Sequence, residues 1–138
     1  MLSEYYLGNI YGKQDLNCAE SVVYTANEVY GINLSDEALK LPAAFGGGMY
    51  IEEKCGAVTG SLMVLGYLFV EKNAHSTDFL KELVHDYFSV FSNKMGSCEC
   101  APIKENHRSE EYGCRDVIAE ALDALESVLD KHINKRVR

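Results

Sequence analysis

The stretch CGAVTGSLMVLGYLFV, Cys55 to Val70, decides the class of fold. Its apolar run from Ala57 to Val70 is fourteen residues long. A bilayer-spanning helix needs about twenty, so the run predicts a buried core helix extending from Cys55 to about Lys72. Gly56 and Gly60 stand four apart on one face of that helix, with Gly66 further along. Small residues at that spacing let a neighbouring backbone approach closely. Here they would bring that neighbour, and its cysteine, up against Cys55.

Outward from this stretch the helical period repeats. Phe79, Leu80, Leu83, Val84, Tyr87, Phe88 and Phe91 form one apolar stripe, with Thr77 as its expected cap. Val117, Ile118, Ala121, Leu122, Leu125, Val128 and Leu129 form another, within a helix expected from Cys114 to about Lys135. On the N-terminal side, Asn17 is a good cap for a helix from Cys18 to Tyr30 that stops at Gly31. A short helix is expected from Ser3 to about Tyr11, and another from Asp36 until the Leu41-Pro42 step. Phe45-Gly46-Gly47-Gly48-Met49 reads as a tight bend, and Met95 to Gly113 as a loop with at most one helical turn. Nothing alternates with period two for long. The 138 residues therefore predict one all-α domain, 1–138, a compact bundle of about five to six helices.

Charge narrows the function. Lys and Arg number 13 against 21 Asp and Glu, a net charge of −8, which argues against nucleic-acid partners. The start of the chain has neither a basic region nor a long apolar one, so a cytoplasmic protein with no membrane insertion is expected. Cysteines there are kept reduced and serve catalysis, redox sensing or metal binding more often than structure. The four histidines share no motif with a serine or an acid, and Gly46-Gly47-Gly48 lacks the frame of a phosphate loop, so neither a hydrolase triad nor a nucleotide site is indicated.

Five cysteines remain to be explained: Cys18, Cys55, Cys98, Cys100 and Cys114. Three of them, Cys18, Cys55 and Cys114, open expected helices and continue their inward stripes. Unsatisfied N–H groups and the helix dipole lower a thiol pKa there. Lys54 beside Cys55 works in the same direction, so Cys55 is the expected reactive thiol, with Cys18 its nearest partner. No C-x-x-C pair of a zinc ribbon or ferredoxin occurs. Cys98-Glu99-Cys100 is a C-x-C pair that could share a metal or supply nucleophile and resolver, with His107 as a further ligand.

These residues together resemble a family of redox-active proteins named for a C…GCAxxG…C…C cysteine pattern. The match runs through Asn17-Cys18-Ala19-Glu20-Ser21-Val22, Phe45 to Met49, and Cys55-Gly56-Ala57-Val58-Thr59-Gly60. It continues through Gly66, Phe91, Gly96-Ser97 and Cys100, and closes at Cys114 and Val117. The resemblance implies a small helical protein with four characteristic cysteines, often encoded near transporter genes. By position it assigns the third cysteine to Cys100 and leaves Cys98 as the extra one; the chain departs from the pattern at Ala101-Pro102.

The leading expectation is thiol–disulfide chemistry by Cys55, Cys18, Cys100 and Cys114, with a thiol–disulfide oxidoreductase as the enzyme reading. The alternative is ligation of zinc or an iron–sulfur cluster by the same four residues, Cys18, Cys55, Cys100 and Cys114, for electron transfer. A third reading is a non-catalytic helical interaction protein. The expected partner is a redox partner, for which the resemblance suggests a transporter context, and a homo-oligomer stays open.

Overall fold

Helices make up all the regular elements of the computed structural model, which describes residues 1–138. Seven α-helices follow in order: α1 (Leu2–Tyr5), α2 (Cys18–Val29), α3 (Asp36–Leu39), α4 (Gly56–Phe69), α5 (Leu80–Met95), α6 (Cys100–His107) and α7 (Arg115–Lys131). A π-helical turn, Tyr6–Ile10, continues α1, and a short 3₁₀ turn, Ile133–Lys135, follows α7. There are no strands, only two isolated bridges. No helix is long and apolar enough to cross a membrane.

Local chemistry explains the starts and stops. Asn17 accepts from the Glu20 amide at 2.9 Å while the Glu20 carboxylate accepts from the Asn17 amide at 3.0 Å. This capping box satisfies two otherwise orphaned donors at the head of α2. Gly31, at φ +59°, takes the left-handed position after that helix. Ser35 caps α3, and the Leu41-Pro42 step ends it as expected. Thr77 does not cap α5. Its hydroxyl donates back to the Asn73 carbonyl at 2.9 Å, and Phe79 precedes the helix without a side-chain cap.

The seventh helix corrects the expected count of five to six. It is α6, in a stretch expected to be loop, and Pro102 is no obstacle to it. Pro102 is the third residue of the helix, where the N–H has no intrahelical acceptor to lose. Ile103, 2% exposed, anchors the helix in the core.

At the centre lies α4, apolar almost all round, packed against α2, α5 and α7. It belongs to a cluster of 26 buried hydrophobic residues. The Tyr87 hydroxyl of α5 reaches Ser61 of α4 at 2.9 Å and the Ala121 carbonyl of α7 at 3.1 Å. Three helices are thereby registered on one buried polar group. At the other end, the Leu2 amide donates to Glu126 of α7 at 2.8 Å, which fixes α1.

The glycine segment is more than a bend. Gly47, Gly48, Met49 and Tyr50 all stand at φ +61°, a left-handed turn that glycine enters freely and Met49 and Tyr50 enter at a cost of roughly 1–2 kcal/mol each. It reverses the chain so that the Glu53 backbone lies directly over Gly48.

Candidate functional site

Four helices begin with a cysteine. Cys18 is the first residue of α2 and Cys100 the first of α6, while Cys55 and Cys114 immediately precede α4 and α7. Three of these placements follow from the sequence. The fourth, at Cys100, comes with the unexpected α6. All five cysteines are free thiols.

Glycines bring the helix ends together. A methyl group at Gly60 would lie 2.7 Å from the Ala19 carbonyl oxygen and 3.1 Å from its Cα. One at Gly56 would collide with the Cys18 sulfur and lie 2.8 Å from the Phe45 carbonyl. The small face of α4 thus rests on the first turn of α2, and Cys18 sits beside the start of α4, as the four-residue glycine spacing implies. Gly48 does the same for α6, since a methyl there would lie 2.7 Å from Cys100 Cβ.

A one-residue antiparallel bridge, Lys54 with Glu99, completes the assembly. The Cys55 amide donates to the Cys98 carbonyl at 2.8 Å, and the Cys100 amide to the Glu53 carbonyl at 2.5 Å. Lys54 and Glu99 form an ion pair on the solvent side of this bridge. On the far side, a turn closed by the Gly113 amide and Ser109 carbonyl at 2.8 Å delivers Cys114 to α7.

The result is a cavity of about 390 Å³ whose lining includes Cys18, Cys55, Cys100 and Cys114. Cys98 does not line it; its sulfur lies 3.8 Å from the Phe88 carbonyl of α5. His107 does not line it either, and its ring nitrogen meets the Met95 carbonyl at 3.1 Å. Of the C-x-C pair, then, Cys100 joins the other three.

The family described as "Putative redox-active protein (C_GCAxxG_C_C)" matches residues 16–128. The chain belongs to that family. No curated protein and no solved structure matches it. In this member of the redox-active family the hexapeptide is Cys55-Gly56-Ala57-Val58-Thr59-Gly60. The Cys18 sulfur occupies the space where a side chain at position 56 would project.

Electrostatics overturns one expectation. Burial pushes the Cys55 thiol up to about 12, and negative charge on Cys18 and Cys100 adds to this. The N–H groups of Ala57 and Val58 at the head of α4 pull the other way and lose, without closing a capping hydrogen bond to the sulfur. Lys54 does not offset the burial. Its charge acts on Cys98, and it is already paired with Glu99. Burial also raises Cys98, Cys100 and Cys114. For Cys100 and Cys114 the next influence is charge on Cys18, which therefore stands within electrostatic reach of all three other cavity thiols.

The order of labelling follows. Limiting alkylating reagent should modify half-buried Cys98 before Cys55, which is 4% exposed. Only the thiolate reacts, so the Cys55 rate should climb about tenfold per pH unit from about pH 7 to about pH 10 without a plateau. Peptide mapping across that range checks it. Preferential labelling of Cys55 at neutral pH would contradict the assigned burial.

The sequence carried no signal for the other walls. Tyr6 opens the π-helical turn after α1 and Tyr11 follows it, while Lys104, Arg108 and Arg115 come from α6, the residue after it and α7. As the side chains stand, no three cysteine, histidine or carboxylate groups are placed to hold a metal ion.

Proposed function

We propose that this chain is a thiol–disulfide redox protein in which Cys18, Cys55, Cys100 and Cys114 act as one unit. The observation that carries the reading is that four free thiols from four helix starts line a single cavity. Membership of the redox-active family supports it.

In the proposed reaction a half-buried sulfur, Cys18, gives up its proton and attacks one sulfur of a disulfide R–S–S–R. The S–S bond breaks, a mixed disulfide forms and RS⁻ leaves, taking up a proton. A second cavity thiol then attacks the Cys18 sulfur, closing a protein disulfide and releasing the second RSH. Two protein thiols are oxidised and one disulfide is reduced to two thiols. Cys18 replaces Cys55 as the entry point because Cys55 is buried and its thiol is held protonated.

Anaerobically purified protein tests the reading against metal ligation. The expected sample is colourless, free of stoichiometric iron and zinc, and yields one thiol per cysteine after reduction and unfolding. Bound iron with visible absorbance, or one zinc per chain lost together with the fold on chelation, would overturn it in favour of a thiolate-bound metal.

A further inference from the structure

The cavity carries a charge pattern opposite to that of the whole protein. The chain is net −8, yet the charged residues lining the thiol cavity are Lys104, Arg108, Arg115 and a single acid, Asp15. The three cations are held differently. Lys104 is paired with Glu52 at 2.8 Å. Arg115 is paired with Asp116 at 2.9 Å and lies 3.7 Å over the Tyr112 ring and 5.6 Å from that of Tyr11. These contacts fix its guanidinium at the edge of the cavity. Arg108 is exposed and forms no ion pair or side-chain hydrogen bond. Its charge reaches the sulfurs, since it draws down the pKa of both Cys100 and Cys114.

Resting on the thiol reading above, we propose that the substrate is a small disulfide bearing carboxylates, its anionic ends held by Arg108 and Arg115 while its S–S bond reaches the thiols. A guanidinium matches a carboxylate in two parallel hydrogen bonds, which a lysine cannot do. Size points the same way. Cys18, the entry sulfur, is half-buried in the lining of a cavity of about 390 Å³, a volume that suits a low-mass disulfide. The overall electron flow is the one already written: the protein dithiol becomes a disulfide, and the substrate leaves as two carboxylate-bearing thiols.

Three disulfides of similar size and different charge make the test: 3,3′-dithiodipropionate (anionic), bis(2-hydroxyethyl) disulfide (neutral) and cystamine (cationic). Each oxidation rate of the reduced protein is divided by the rate of the same probe with a free dithiol, which removes intrinsic reactivity. The field of a −8 protein alone would favour the cation. The proposal expects the reverse order, with an anion-to-neutral ratio of about ten or more at low salt. That ratio should fall toward one in Arg108→Gln, and in the unaltered protein at high ionic strength. Equal normalised rates for the anionic and neutral probes, or a lead for cystamine, would overturn the anionic substrate and leave the thiol function standing. Failure of all three to oxidise the protein would overturn both.

Discussion

Cys18→Ser is expected to slow oxidation of the reduced protein by a small disulfide at least about a hundredfold, because a hydroxyl does not attack a disulfide and residues acting as a unit fail together. The argument is positional. Cys18 stands against Gly56 at the head of α4, and its charge bears on Cys55, Cys100 and Cys114 alike. Charge on Cys100 also bears on Cys55 and Cys114, but Cys100 is buried where Cys18 is half-buried. The fold should survive, since Asn17 and Glu20, not Cys18, close the cap of α2. Cys98→Ser is the matched comparison. Its sulfur faces the Phe88 carbonyl, outside the cavity, and the rate should stay within about twofold of the parent. Stopped oxidation kinetics on the two variants decide the matter. Equal rates for them would remove Cys18 from the centre of the account.

Gly60→Val is expected to cost about 3 kcal/mol, the upper part of the range for overpacking, and to lower Tm by about 10 °C. The new Cβ would sit 2.7 Å from the Ala19 carbonyl oxygen and 3.1 Å from Ala19 Cα. Both are backbone atoms of the first turn of α2, so relief requires moving that helix and Cys18 with it. Oxidation should therefore slow together with the loss of stability. Gly66→Ala, on the same helix, should do the opposite. Nothing lies within 4 Å of the new methyl group, and replacing a helical glycine by alanine gains about 0.5–1 kcal/mol. Thermal unfolding of the pair gives shifts of opposite sign, and an unchanged Tm for Gly60→Val would refute the close approach of α2 to α4.

The features legible in the sequence are those whose cause is local. Asn17 announces the cap of α2, though not the Glu20 half of the capping box, and the aromatic stripe from Phe79 to Phe91 announces α5. Gly56 and Gly60 announce a close neighbour without saying which; the structure supplies Ala19. What escaped depends on distant chain. The helix α6 has a polar sequence containing Pro102, and it is held by Ile103 in the core and by the Glu53–Cys100 backbone hydrogen bond. Arg108 and Tyr6 reach one cavity from opposite parts of the chain.

Cys55 shows how a local argument can choose the wrong winner. Its inward stripe with Leu62 and Phe69 and its place before a helix were both readable. A helix end contributes about 0.3–1 kcal/mol, whereas full burial can move a pKa by several units. The second effect prevails, and the thiol goes up to about 12.

Disulfide mapping tests the central claim most directly. Reduced protein is oxidised with excess bis(2-hydroxyethyl) disulfide, residual thiols are blocked, and peptides are identified without reduction. The account predicts intramolecular disulfides confined to Cys18, Cys55, Cys100 and Cys114, with Cys98 recovered as the blocked free thiol. Disulfides that include Cys98 as readily as the others, or crosslinks only between chains, would contradict it.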